Sequence, residues 1–459
     1  MRYVSTRGDA PELGFADVLL AGLAVDGGLY VPERWPALAP SSASTYVERA
    51  VEVILPFVEP DLDEITLTQL CTDAYESFRH PAVVPLVQLD HRHWVQELFH
   101  GPTLAFKDVA LQLVGRMFDH VLAERGERVT IVGATSGDTG SAAIDGVAGC
   151  DHVDIVILYP QGRTSEVQRR QMTTIDEPNV HTVAVDGTFD DCQDLVKAMF
   201  NDTAFRERNW LSAVNSINWA RVMAQCVYYV TAAETFAAPV TFSVPTGNFG
   251  NVLAGWIARE MGAPIRDFIV ASNTNDILTR FVGHGDMTTR EVVATISPSM
   301  DIQVSSNFER LLFEMNGRDG GLTAEQLGRF RATGRLDLEG DQRQRYIEGS
   351  FRAAAFDDEA TLREIARVHR ETGMLLDPHT ATGTAAATML TGLDTDPNPV
   401  VTMATAHPAK FPDAVERATG VRPALPEHLA DLFERPERTE TVANDLAAVE
   451  SLVERLTRA

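Results

Sequence analysis

From about Val83 onward the sequence predicts an α/β fold built on parallel sheet. Six short runs, 129–132, 153–158, 181–185, 240–244, 268–272 and 400–403, are apolar and rich in β-branched residues. They alternate with stretches of helical periodicity, as strands and crossover helices do in α/β proteins. Their largely continuous apolar character suits strands covered on both faces. Two of them lead through a glycine-rich loop straight into a helical stretch.

Residues 1–82 read as a separate, mainly helical module. Small and apolar residues at 14–23 precede a turn at Asp26-Gly27-Gly28 and the segment Leu29-Tyr30-Val31-Pro32. Helical periodicity follows at 46–57 and 67–78. The expected role of this module is to pack against the body of the chain.

The stretch 97–108, Glu-Leu-Phe-His-Gly-Pro-Thr-Leu-Ala-Phe-Lys-Asp, enters a helix whose apolar face carries Val114, Met117, Phe118, Val121 and Leu122. Lys107 therefore stands at a helix start, where the helix dipole and apolar neighbours disfavour a charged amine. Such an amine can attack an aldehyde, as Schiff-base lysines do. Taken alone, the stretch also reads as a surface lysine beside a surface aspartate.

The first glycine-rich loop is Gly133-Ala134-Thr135-Ser136-Gly137-Asp138-Thr139-Gly140-Ser141, and the second is Pro245-Thr246-Gly247-Asn248-Phe249-Gly250-Asn251. Strand, loop and helix in this order bring backbone N–H groups to an anion. Neither loop is a nucleotide P-loop or a dinucleotide fingerprint. Residues 297–350 read as an excursion on the sheet scaffold, with a helix around 308–315 and a polar stretch to about Gln344. A helix at 362–372 precedes Asp377-Pro378-His379-Thr380-Ala381-Thr382-Gly383 and a small-residue helix. The last strand ends in Ala404-Thr405-Ala406-His407-Pro408-Ala409-Lys410-Phe411. Val442, Leu446, Val449, Leu452, Val453 and Leu456 share one face of an expected terminal helix.

The net charge of −26 argues against nucleic acid, whose binding needs Lys and Arg to neutralise phosphates. A local site on an acidic protein still accepts a small anion. The four cysteines form no C-x-x-C pair, so reduced thiols in the cytoplasm are the expectation, with no disulfide framework. No run reaches the roughly 18 apolar residues of a membrane span. A His-x-His at 91 and 93 has no carboxylate cluster beside it, so no metal is expected. A buried lysine, two anion-cradling loops and a hydroxyl at a strand end together suggest a phosphorylated aldehyde. Pyridoxal phosphate fits: Lys107 forms the Schiff base, one loop takes the phosphate and the other the substrate carboxylate.

The motifs Phe-His-Gly-Pro-Thr-Leu-Ala-Phe-Lys-Asp, Ala-Thr-Ser-Gly-Asp-Thr-Gly, Pro-Thr-Gly-Asn-Phe-Gly-Asn, Asp-Pro-His-Thr-Ala and Thr-Ala-His-Pro-Ala-Lys-Phe occur in this order. With Val25-Asp26-Gly27-Gly28-Leu29-Tyr30 and Asn215-Ser216-Ile217-Asn218-Trp219, they resemble the threonine synthase family in its longer bacterial and fungal form. The resemblance spans nearly the whole chain. It implies a tryptophan-synthase-like, fold type II pyridoxal phosphate enzyme with two parallel-sheet α/β domains. The expected division is a module at 1–82, a large cofactor-binding domain at 83–107 and 221–459, and a small domain at 108–220. Lys107 is implied to hold the cofactor aldehyde, and Gly247, Asn248, Phe249, Gly250 and Asn251 its phosphate. Asp138 is implied to lie at the pyridine 3-oxygen and Thr405 at the ring nitrogen. Thr135, Ser136 and Thr139 are implied to meet the substrate carboxylate; Asn215, Asn218, Arg221 and Lys410 are candidates for its phosphate. The implied reaction, that of a carbon–oxygen lyase acting on phosphate, turns O-phospho-L-homoserine and water into L-threonine and phosphate. The expected assembly is a monomer or homodimer. A hydroxy-amino-acid dehydratase of the same fold would share Lys107 and the phosphate loop. A non-catalytic relative would lack the lysine.

Overall fold

The computed structural model describes all residues except 136, 214, 339, 393–396 and 459. Among the described residues, two sheets divide the body of the chain. The larger has the strand order Phe351–Ala355, Ile265–Ser272, Val240–Pro245, Val400–Ala404, His93–Glu97, Leu86–Gln88. Its neighbours run parallel except the Leu86–Gln88 edge. The second is parallel throughout, in the order Glu440–Ala443, Val180–Asp186, Val153–Pro160, Val129–Ala134, Leu211–Ser212. All six expected strands are present. Val153–Pro160 and Val240–Pro245 are buried at every position, as strands covered on both faces are; Asp154, Thr241 and Ser243 are buried with them.

The N-terminal module combines the antiparallel pair Tyr3–Ser5 and Tyr30–Pro32 with the helices Phe15–Ala21, Tyr46–Val58 and Glu64–Tyr75. Thr45 and Glu48 close a capping box on the second helix, satisfying two N–H groups that would otherwise lack partners. One apolar cluster runs from Phe57 of the module through Trp219 to Phe242 and Phe268 of the larger sheet. Each such aromatic contributes about 1.5–3 kcal/mol by leaving water. The module is thus part of the same core.

The Lys107–Arg125 helix buries Val109, Leu113, Met117, Phe118 and Val121. It stops at Gly126, whose φ of 65° is left-handed and whose N–H reaches Leu122 O. Glu127 N then donates to the same carbonyl at 3.0 Å.

The chain's end departs from the expected division. It leaves the larger sheet, and Glu440–Ala443 pairs with Val180–Asp186. The Leu446–Leu456 helix then buries Val449, Leu452 and Val453 beside Val132, Val156 and Val183. Val442 belongs to the strand and not to the helix face. The physical reason is the edge: without Glu440–Ala443, Val180–Asp186 would present unpaired backbone groups. The excursion also holds a helix absent from the sequence reading, Gly320–Thr333, capped by Asp319.

Candidate active site

Lys107 is the first residue of its helix. The turn before it is stitched to the chain leaving Val400–Ala404. Ala105 and Ala406 form an antiparallel bridge. Phe106 N donates to Thr405 O at 2.9 Å, and His407 N donates to Leu104 O at 3.0 Å. Leu104 makes the reversal at φ 64°, a left-handed conformation that costs a non-glycine residue about 1–2 kcal/mol. This stitch sets Lys107 and Thr405 in the wall of one cavity of about 110 Å3, which Thr139, Arg221, the 245–251 loop, Ser299 and His379 complete.

Lys107 is 8% exposed, and its Nζ lies 3.4 Å from Asp138 Oδ2. Burial pushes the amine below the usual lysine range; Asp138 opposes this, while Lys410 and Arg221 add to it. Burial alone would raise Asp138, yet Lys410 and Lys107 hold its carboxyl well below the usual carboxylate range. Lys410 Nζ is 3.1 Å from Asp138 Oδ1, Gln168 Nε2 donates to Oδ1 at 2.8 Å, and Ser299 Oγ donates to Oδ2 at 3.1 Å. One carboxylate therefore stands between two lysines. The amine that must react as a free base sits where a proton is disfavoured.

On the opposite side, Phe249 turns the chain at φ 62° into the Gly250–Glu260 helix. Gly247 has no room for a side chain, because a Cβ there would lie 2.6 Å from Ser299 O. Asn251 Oδ1 accepts from the hydroxyls of Tyr228 and Tyr229 at 2.7 and 2.8 Å, whereas its buried Nδ2 meets no acceptor among the described residues. Arg221 is in the same condition: it is 3% exposed, and its Nε and Nη1 have no acceptor there. Burial pushes its guanidinium down to about 10. Each buried unpaired donor costs about 1–3 kcal/mol. Arg221 and Asn251 line a cavity beside a helix N-terminus, and residues there with donors lacking acceptors fit an anionic ligand, here a phosphorylated aldehyde and a phosphorylated substrate.

Several residues named from the sequence do other work. Thr135 Oγ1 accepts from Gly137 N at 3.0 Å and Gly140 N at 2.9 Å, so its hydroxyl shapes the loop. Ser136 lies outside the described residues. Asn218 is no phosphate ligand: Oδ1 caps its helix through Ala220 N at 3.0 Å, and Nδ2 donates to Leu19 O at 2.9 Å. Asn215 is exposed, with Oδ1 accepting from Ile217 N. Lys410 is fully buried outside the cavity lining, held by Thr103 O at 2.7 Å, Gln171 Oε1 at 2.9 Å and Asp138. Its amine serves the carboxylate next to Lys107.

Ser299, Gln168 and His379 were missed as site residues. His379 Nδ1 is 2.7 Å from Asp377 Oδ2, and its Nε2 accepts from Ser299 N at 3.2 Å. Since Nε2 accepts, the proton belongs on Nδ1, donating to Asp377. The motif Asp-Pro-His-Thr-Ala was the available signal for His379; nothing local marks Ser299 or Gln168.

The chain is 55% identical to the threonine synthase of Pseudomonas aeruginosa over 463 residues, which covers 99% of this chain and 98% of that protein. The chain belongs to the threonine synthase family. The family profile described as threonine synthase N terminus matches residues 2–75, that of pyridoxal-phosphate dependent enzymes 79–406, and that of the threonine synthase C-terminal region 380–453. Among solved structures, threonine synthase from Brucella melitensis with bound pyridoxal phosphate superposes with a TM-score of 0.97 at 50% identity, over 100% of both chains. Threonine synthase from yeast gives 0.94 at 37% identity, covering 99% of this chain and 98% of that one. The chain is accordingly a fold type II pyridoxal phosphate enzyme. Among the described residues, no helix is long and apolar enough to cross a membrane.

Proposed function

We propose that this chain converts O-phospho-L-homoserine and water into L-threonine and phosphate, in the cytoplasm, as a monomer or homodimer that does not bind nucleic acid. The observation that carries this reading is the pair of unsatisfied donor sites, Arg221 and Asn251, in the wall of the cavity that holds Lys107. A phosphorylated cofactor and a phosphorylated substrate need two phosphate sites, besides the one for the substrate carboxylate. An enzyme that deaminates serine or threonine needs one phosphate site.

Pyridoxal phosphate, when bound, supplies the electron sink for carbanion chemistry on an amino acid. Lys107 would hold its aldehyde carbon, the 247–251 loop with Asn251 its phosphate, Asp138 the 3-oxygen side and Thr405 the ring nitrogen. Lys107, whose charged form burial disfavours, then takes protons from Cα and Cβ of the substrate and gives protons back at Cα and Cγ. Thr139 receives the substrate carboxylate and Arg221 its phosphate. The Cγ–O bond breaks and phosphate leaves with the electron pair. The oxygen of water bonds to Cβ, and protons return to Cα and Cγ. The two sheets act as two domains that close on the substrate, with residues 1–82 as a third module. Ser299, donating to Asp138, supplies one contact across that closure. Closure matters because water must arrive only after phosphate has left.

The test is direct. Purified protein with pyridoxal phosphate should release phosphate and L-threonine in equal amounts from O-phospho-L-homoserine. Deamination of serine or threonine should be far slower. Faster deamination would give the site to a dehydratase.

A further inference from the structure

Asn307 and Arg310 hold the 247–251 loop from behind. Asn307 is fully buried; its N–H and Nδ2 donate to Asn248 O at 3.1 and 3.2 Å, and Nδ2 also reaches Ser216 O at 2.9 Å. Ser305 Oγ donates to Gly247 O at 2.7 Å. In a trans peptide the C=O and the following N–H point opposite ways. Fixing the oxygens of Gly247 and Asn248 therefore fixes the N–H directions of Asn248 and Phe249, two of the backbone donors this loop offers a phosphate.

Arg310 extends this hold to the module. It is 1% exposed and donates Nη1 to Asn307 Oδ1 at 2.6 Å, Nε to Tyr30 O at 3.0 Å and Nη2 to Ile217 O at 2.7 Å. Its guanidinium carbon lies 5.8 Å from the Trp219 ring centroid. A buried guanidinium carries a large desolvation cost, and here its planar fork is the element that joins three separate segments. The neighbouring Glu309 grips the module a second time. Arg7 donates Nε and Nη2 to it at 3.1 and 3.0 Å, and Thr6 Oγ1 donates at 2.7 Å.

We propose that Asn307 and Arg310 are positioning residues for the cofactor-phosphate loop, and that through them docking of the N-terminal strand pair and binding of pyridoxal phosphate are thermodynamically linked. The proposal rests on the loop's assignment to the cofactor phosphate. Linkage is reciprocal: what steadies the loop steadies the strand pair, and the converse.

Two measurements test it. In the wild-type protein, adding pyridoxal phosphate to the cofactor-free form should slow amide hydrogen exchange several-fold in Tyr3–Ser5 and Tyr30–Pro32. Unchanged exchange there overturns the linkage. In the second, dissociation constants are measured for pyridoxal phosphate and for pyridoxal, which lacks the phosphate. Asn307→Ala, Arg310→Met and Arg310→Lys should each weaken pyridoxal phosphate about tenfold and leave pyridoxal nearly unchanged. Lysine should not rescue, because it keeps the charge and loses the fork. Arg7→Gln, remote from the cavity, should weaken pyridoxal phosphate several-fold through the module. Equal losses for both ligands would mean a merely structural role and overturn the proposal. Gly247→Ala separates the two levels. If it alone loses the preference for pyridoxal phosphate, the loop assignment stands and the positioning role falls. If it too binds normally, the loop is not the phosphate site.

Discussion

Replacing Asp138 with asparagine changes a charge and almost nothing else. The side chain keeps its shape, and Asn Oδ1 can still accept from Gln168 Nε2 at the observed 2.8 Å and from Lys410 at 3.1 Å. The new Nδ2 would face Ser299 Oγ, which can accept as well as donate. What disappears is the anion 3.4 Å from Lys107 Nζ. At that separation, with an effective dielectric constant of about 20, the lost attraction is about 5 kcal/mol. Relaxation and solvent recover most of it, and what remains favours the neutral amine. The sign is fixed: removing an anion disfavours the ammonium, so Lys107 loses its proton at lower pH than in the wild type. The assay is the rate at which cofactor-free protein captures pyridoxal phosphate, followed by absorbance across pH. At neutral pH the asparagine variant should capture faster, with its rate profile displaced to lower pH and Lys107→Ala as the blank. A profile displaced upward, or one that coincides with the wild type, would refute the claim that Asp138 governs the Lys107 proton.

Lys107→Ala should abolish turnover, and borohydride should fix the cofactor to a wild-type peptide containing Lys107; fixation on another lysine would remove Lys107 from its role. Arg221→Met should raise KM for O-phospho-L-homoserine about 10- to 100-fold while raising the melting temperature, because two buried unpaired donors vanish with it. An unchanged KM would take Arg221 out of the phosphate site. Asp108→Asn tests a buried carboxyl beside the reactive lysine, pushed up to about 7 by burial despite the Thr103 hydroxyl. The folded state there keeps a proton that the unfolded chain releases near pH 4. The contribution of this group to wild-type stability should therefore fall between about pH 4 and 7 by on the order of a few kcal/mol. The variant escapes that loss, so its denaturant midpoint should gain on the wild type as pH rises; a gap independent of pH would contradict the raised value.

The strands that were legible from sequence are the mainly apolar, β-branched ones. His93–Glu97 escaped notice although it lies inside the larger sheet, because three of its five residues are polar. Their partners come from elsewhere: His93 Nε2 lies 2.7 Å from Thr402 Oγ1, and Gln96 donates to Tyr228 O at 3.0 Å. Phe351–Ala355 was hidden by its alanines and Arg352, which suit an edge position. Gly320–Thr333 starts on two glycines that no helix propensity favours; the Asp319 cap makes the start. At the site, Lys107 and Arg221 stand in the cavity wall, whereas Asn218 and Lys410 already have their hydrogen bonds engaged outside it. The chemistry of an amide or an amine can be read from a sequence, but whether its hydrogen bonds are already engaged cannot. Ser299 is the converse: an ordinary serine made important only by where the excursion begins.

The bridge between Ala105 and Ala406 also sets a schedule. Lys107 leaves the ribosome early, but its partner strand and Thr405 are among the last parts made. Until the chain is synthesised past Phe411 there is no wall for the reactive lysine to stand in, and until Ala443 has emerged the second sheet lacks its closing strand. Contacts so distant in sequence form slowly. The half-made protein thus cannot hold an aldehyde in an open, water-filled site where it would react with whatever amine came by. Loading of the aldehyde is expected only after residues 400–411 have been made, because a chain ending before Thr405 lacks that wall.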